Sequence, residues 1–220
     1  MDFAIYDMDR TVTRHATYTP FLLHCALRRA PWRLLLLPLV IASMLTYVLK
    51  LIDRGRLKEI NHRLLLGHRR HPKELKPLVD SFAERTVASN VRPGARQAIE
   101  RDKAEGRRVV MATASYRLYA EAIAARLGFD DVIGTGSIIG LDERVHAKID
   151  GENCYGPAKL RMVTDWLGKS GLKRGHIRFY SDHASDAPVF EWADEAVAVN
   201  PHDRLARLAK ERGWRVEDWG

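Results

Sequence analysis

The chain has 220 residues, 46% of them hydrophobic, and a formal net charge of +8. That length buries a substantial core and suits one domain plus an insertion, and the chain carries no internal repeat or low-complexity tract. Its two cysteines, Cys25 and Cys154, exclude a disulfide framework and a paired zinc-ligand spacing, and they fit a reducing cytosol.

Phe3-Ala4-Ile5-Tyr6 is a short apolar run leading into Asp7-Met8-Asp9-Arg10-Thr11-Val12. It begins almost at Met1, so no cleavable signal peptide is expected ahead of it. An apolar run of this length bounded by polar residues predicts a buried strand of a parallel sheet. Asp7 and Asp9 then stand at the strand's C-terminal end, where open α/β sheets bind ligands. Like carboxylates this close repel, so they need a shared proton or a cation, and hard Mg²⁺ suits oxygen ligands. A solvated acidic turn accounts for the same residues, and the motif alone does not separate the two.

Residues 14–87 hold 14 Lys and Arg against 5 Asp and Glu, whereas the rest of the chain holds 22 against 23. The basic excess therefore lies in one segment. It implies either an anionic partner (phosphate-bearing substrate, lipid headgroups or nucleic acid) or an ordinary solvated surface. Nucleic acid is not expected, because no recognisable reading motif accompanies the charge. Thr19-Pro20 opens a helix to about residue 28, and Ala30-Pro31-Trp32 breaks it. Residues 34–49 carry no charge and predict a helix reaching roughly 24 Å, short of the roughly 30 Å hydrocarbon core. Arg28, Arg29 and Arg33 flank one end; Lys50, Arg54, Arg56 and Lys58 flank the other. Extending the run to Ile52 across Lys50 makes a span borderline, but cations on both flanks suit a helix or helical hairpin lying in an anionic interface rather than crossing it. The competing assignment is the core of a small helical cap. Residues 72–89 read as an amphipathic helix returning to the main domain, and His68 and His71 as part of a basic solvated turn.

From Val91 the pattern becomes regular. A helix opens at Pro93-Gly94 and stops at Gly106. A strand over 108–112 ends at Thr113-Ala114-Ser115, and a helix follows to about residue 127. Val132-Ile133 starts a short strand, and residues 135–150 form a hairpin turning near Gly140-Leu141-Asp142. A helix spans about 157–167. Strands at 177–180 and 196–199 follow, the first ending at Ser181-Asp182-His183-Ala184-Ser185-Asp186. A last helix and a tail over 214–219 complete the chain. Strands alternating with helices predict an α/β fold with a doubly wound, mainly parallel Rossmann-like sheet. The core comprises residues 1–13 and 88–220, with residues 14–87 inserted as an all-helical cap.

Polar groups thus recur at strand ends in a fixed order: Asp7 and Asp9, Thr113, Lys159 at a helix start, then Asp182 and Asp186. Each alone is weak, since a strand can end in an Asp that caps a helix. Parallel strands, however, bring their C-terminal ends to one edge. The ordered set resembles the haloacid-dehalogenase-like phosphohydrolases, and among them the phosphoserine-phosphatase-like branch. DMDRTVT is similar to the first motif, VVMATAS to the second, Lys159 in NCYGPAK to the third and YSDHASD to the fourth.

The resemblance implies a Mg²⁺-dependent phosphomonoester hydrolase. Asp7 would be the nucleophile and form an aspartyl-phosphate. Asp9 would serve as general acid and base. Thr113, with Ala114, Ser115 and the following helix start, would hold phosphoryl oxygens, while Lys159 would neutralise charge. Mg²⁺ would be held by Asp7, the backbone carbonyl of Asp9 and Asp182, with Asp186 orienting the shell. Arg10 stands where the family often has a small residue and is assigned to solvent, cap or substrate. Ser181 and His183 replace common Gly and Ser, and His183 reads as a bystander.

Phosphoserine phosphatases carry a Glu nine residues after the nucleophile, where this chain has Ala16. A similar apolar cap stretch occurs in the branch containing C-type phosphatidylglycerophosphate phosphatases. The expected substrate is therefore a lipid or amphiphilic phosphate monoester, handled in the cytoplasm and at the inner face of a membrane. A small-metabolite phosphatase of the phosphoserine type is the alternative within the class. Outside it stands a non-catalytic membrane-surface binding module.

Overall fold

Strand β1 (Phe3–Tyr6) is buried throughout, as its uninterrupted apolar run requires, and lies in the middle of the sheet in the computed structural model, which describes residues 1–220. It pairs in parallel with β3 (Arg108–Tyr116) on one side and β6 (Ile177–Ser181) on the other. Beyond β3 lies β4 (Asp131–Ile139), and beyond β6 lie β7 (Glu195–Val199) and β8 (Arg215–Glu217), all parallel. The long β4 turns back into antiparallel β5 (Val145–Asp150), as the hairpin pattern predicts. A two-residue strand, β2 (Arg69–Arg70), adds to the outer edge of β5. The order is β2-β5-β4-β3-β1-β6-β7-β8. Tyr6 is level with Met111 and Tyr180, so Asp7, Thr113 and Asp182 leave the sheet at one edge.

Alternation along the strands feeds two faces. Phe3, Ile5, Val110 and Ala112 pack with α7 (Pro157–Lys169), α8 (Ala187–Trp192) and α9 (Asp203–Arg212). Ala4, Tyr6 and Val109 pack with α5 (Pro93–Ala104) and Trp219 on the other face. There Asp102 is fully buried and accepts hydrogen bonds from the Tyr6 hydroxyl, the Arg178 guanidinium and, at 2.9 Å, the Tyr180 hydroxyl. The Tyr6 and Tyr180 rings stack at 4.3 Å above it. This buried ion pair ties α5 to β1 and β6 directly beneath the strand that carries Asp7.

The insertion leaves at Thr13 and returns at Val91, which form an isolated antiparallel bridge. It contains α1 (Tyr18–Arg29), a 3₁₀ segment (Pro31–Leu36), α2 (Leu37–Val48), α3 (Arg54–Leu65) and α4 (Pro72–Ser89). The single helix expected over 34–49 is thus two pieces. Pro38 sits at the start of α2, where a missing N–H costs nothing. Helix α3 was not anticipated; Asp53 opens it by accepting the Arg56 amide at 2.7 Å. Strand β2 interrupts the otherwise helical segment, and the tail expected over 214–219 contains β8. α1, α4 and α6 (Arg117–Leu127) share one cluster of 20 buried residues with Met8 and Met111.

His62 of α3 is buried in the seam between insertion and sheet, edge-on to Tyr116 at 5.3 Å, with neither ring nitrogen hydrogen-bonded. Burial first, then Arg70 and His68, push it down to about 4 from the ordinary 6.5. The unfolded chain therefore takes up that proton first as pH falls. Native stability contributed here is complete above about 6.5 and is lost as pH drops towards about 4. In His62→Leu, urea unfolding measured across that window is expected to lose this part of its pH dependence.

Candidate active site

The turn after β1 sets the site. Asp9 is extended (φ −71°, ψ 122°), and Arg10 is left-handed (φ 66°), a conformation that costs a residue with a Cβ roughly 1–2 kcal/mol. That explains why Arg10 is unusual at this place and why Asp7 and Asp9 diverge. Asp7 is buried and accepts the Lys159 ammonium at 2.7 Å on Oδ1. Lys159, only 2% exposed, also donates to Asp186 Oδ2 at 2.6 Å. Gly156 makes this reach possible. Its φ of 59° with ψ of −135° is open only to glycine, and it turns the chain into α7 with Lys159 on the first turn.

Asp182 is bound in through Thr11. The Thr11 hydroxyl accepts the Asp182 amide at 3.0 Å and lies 3.2 Å from Asp7 Oδ2 and 3.3 Å from Asp182 Oδ1. Ser181, at a position commonly glycine, donates to Asp186 Oδ2 at 2.7 Å. Asp9 points the other way. Its Oδ1 accepts the Thr17 amide at 2.8 Å and the Thr17 hydroxyl at 2.7 Å, and its Oδ2 accepts Ser115 Oγ at 2.7 Å. The Tyr119 hydroxyl donates to Ser115 Oγ at 2.7 Å, completing the chain. Thr113 is buried and accepts the Ser115 amide at 3.0 Å. The Ala114 carbonyl accepts the Thr135 hydroxyl at 2.7 Å.

Burial pushes the Asp7 carboxyl up to about 7; Lys159 pulls against that rise, and the Asp186 and Asp182 charges add to it. Asp182 is raised as well, by burial first, with His183 and His202 opposing. Burial would lower Lys159, but the adjacent Asp186 and Asp7 outweigh it and hold the ammonium well above its ordinary value. Three carboxylates around one ammonium leave surplus negative charge when all are ionised. Asp186 Oδ1 is buried without a hydrogen-bond partner. Hard oxygens, surplus charge and an orphaned carboxylate oxygen fit a hard divalent cation. As the side chains stand, no three carboxylate, imidazole or thiol groups converge on one point. That suits an ion held by one or two carboxylates with the rest of its shell from water and main-chain oxygen.

All the residues expected from sequence (Asp7, Asp9, Arg10, Thr113, Ala114, Ser115, Lys159, Asp182 and Asp186) line one cavity of about 420 Å³ beneath the insertion. Arg10 is exposed at its mouth, 3.4 Å from His202 Nε2. His183 also lines the cavity, while its Nδ1 accepts the Ser185 amide at 3.1 Å as a local cap. Lys58 departs from its sequence assignment as a flanking surface cation. It is buried, and its ammonium donates to the Ala114 carbonyl and to Asn153 Oδ1 at 2.6 Å. Burial and then Arg54 push it down to about 7. Sequence reasoning missed Lys58, Asn153, Thr11 and Thr17. The signal for Lys58 was Asp53 as a helix cap, followed by Leu57, Asn61 and Leu64 at helical spacing.

The chain belongs to the haloacid dehalogenase-like hydrolase family, whose pattern matches residues 4–191. It is 31% identical over 146 residues to a Mycobacterium tuberculosis protein named phosphoserine phosphatase SerB1, covering 66% of this chain and 47% of that one. It is 26% identical over 146 residues to a histidinol-phosphatase of Neisseria meningitidis, covering 65% and 66%. The chain spans about half the length of the mycobacterial relatives it matches. In fold it is similar to a Bordetella pertussis protein of unknown function, with a TM-score of 0.89 at 24% identity over 100% of this chain and 99% of the other.

Lys159→Met removes the only cation between Asp7 and Asp186. It is expected to lower the unfolding free energy by about 3–5 kcal/mol at neutral pH, measured by urea denaturation.

Proposed function

We propose that the chain is a phosphomonoester hydrolase working through an aspartyl-phosphate on Asp7. The observation that carries this reading is the Asp7–Lys159–Asp186 cluster at the sheet edge, with Thr113 and Asp182 beside it in one cavity. Asp7 would attack phosphorus in line as the ester oxygen leaves, and water would then cleave the acyl phosphate. Asp9 would deliver a proton to the leaving oxygen and take one from the water. Thr17 and Ser115 fix its direction. Thr113 and the amides at the start of α6 would cradle phosphoryl oxygens, and Lys159 would hold Asp7 in place and offset developing charge. Asp7, the Asp9 carbonyl and Asp182 would hold Mg²⁺, with Asp186 behind them; the ion would supply charge neutralisation at the phosphoryl oxygens.

The insertion's share of the cavity wall includes Ala16, Met44, Tyr47, Arg54, Leu57 and Lys58, and no Asp or Glu. A substrate ammonium would find no counter-charge there. The wall favours a monoester whose remainder is apolar or anionic, as in a lipid phosphate, over free phosphoserine. The two buried free thiols, Cys25 and Cys154, suit a reducing cytoplasm.

Wild type is expected to release phosphate from a small aryl phosphate, and Asp7→Asn to fall to the uncatalysed background with its fold intact by circular dichroism. If wild type and Asp7→Asn were equally inert across a broad phosphoester panel, the enzyme reading would fail. Mg²⁺ is expected to raise the melting temperature of wild type, and Asp182→Asn to diminish that rise, read by scanning calorimetry.

A further inference from the structure

The insertion carries more apolar surface than it hides. Of α2, only Val40 and Ser43 are buried, on the side that meets α3, where Ser43 Oγ lies 2.7 Å from Asn61 Oδ1. The opposite side presents Ile41, Leu45 and Val48 at i, i+4 and i+7, exposed by 66%, 57% and 70%. Leu35, Leu39, Leu49 and Leu51 extend the patch. Over Pro31–Val48 just 11% of the stretch is buried. Contiguous apolar exposure of this kind marks a surface that is covered in use.

We infer that α2 docks the protein onto an anionic lipid surface. Residues 14–52 contain no Asp or Glu and five Lys or Arg, so the chain that carries the patch is neutral or cationic. The one carboxylate at its edge, Asp53, is engaged in capping α3. Arg28 and Lys50 flank it in the chain, both exposed and without a carboxylate partner. Arg33 stacks over Trp32 at 4.7 Å at the N-terminal end. An apolar strip edged by cations and an indole matches the acyl boundary and headgroups of an anionic leaflet. A second copy of this chain is a poor fit, since pairing the same face would set cation against cation. The stretch Pro31–Val48 is long and apolar enough to cross a bilayer by length and composition alone. It is fastened along α3, however, with Arg33 donating to the Leu64 carbonyl at 2.7 Å and Val40 and Ser43 buried, so it lies flat on the surface rather than crossing.

Docking and catalysis share this helix. Met44 and Tyr47, on an adjoining strip of α2, line the catalytic cavity. The cavity mouth therefore opens beside the docking face, so a phosphorylated headgroup can enter while its chains remain in the bilayer. This last step rests on the phosphomonoesterase reading; the docking does not.

The test is flotation of the full chain with phosphatidylcholine vesicles, with and without phosphatidylglycerol, at low and high salt. The comparison is I41Q/L45Q/V48Q, three positions outside the cavity wall. Wild type is expected to float with the anionic vesicles, less so at high salt, and the variant to bind roughly tenfold more weakly. Hydrolysis of a soluble aryl phosphate should be equal in both proteins, while turnover of vesicle-embedded phosphatidic acid drops in the variant. Wild type that ignores phosphatidylglycerol, or a variant that floats as well as wild type, overturns the proposal. So does a wild-type dimer that the variant converts to monomer, because the face then belongs to a second copy. Anionic-vesicle binding by a protein inert towards every phosphoester supports the docking and sinks the phosphatase reading instead.

Discussion

The structure depends on one electrostatic settlement. Asp7, Asp182 and Asp186 are brought out of water at the rim of the sheet, and a single buried ammonium, Lys159, lies between Asp7 and Asp186. Burying charge without a partner is prohibitive, so the sheet register, the glycine turn before α7 and the hydroxyls of Thr11 and Ser181 all serve to bring opposite charges together. The balance is incomplete by design: one oxygen of Asp186 is left unpaired. Under the proposed phosphatase reading, that surplus charge is what a divalent cation and a phosphoryl group would meet.

The sheet beneath holds that arrangement in register. Asp102 joins α5 to Tyr6 and Tyr180, the residues immediately before the turn that opens at Asp7 and before Ser181. The floor under Asp7 is therefore stacked aromatic rings on a buried ion pair, which leaves little freedom for the strand to slip.

Much of this could be read from residue order alone. The run Phe3–Tyr6 is apolar on both faces because it is buried on both faces, and parallel strands must deliver their polar ends to one edge. That places Asp7, Thr113 and Asp182 together without coordinates, and Lys159 follows from its place at a helix start. Other features had no such signature. For Lys58 the cap at Asp53 and the spacing of Leu57, Asn61 and Leu64 signal the helix, but that its ammonium turns inward to the Ala114 carbonyl is set by tertiary packing. Thr11 and Thr17 are common residues whose importance lies in where the turn after β1 points them. The short β2 is two arginines with no strand pattern, paired only because β5 presents a free edge.

The insertion also divides internally. α1 and α4 have no hydrophobic centre apart from the one they share with α6, whereas α2 and α3 overhang the cavity. The segment between Thr13 and Val91 is consequently not a detachable module: lifting it out whole would strip the flank of the sheet. Even the overhanging pair is rooted there through Val40 and Leu65, so only its outward and cavity-facing positions can change without opening that shared interior. What the cavity accepts is therefore set at single positions such as Met44, Tyr47 and Leu57, while the helices that carry them stay bound to the scaffold's own folding.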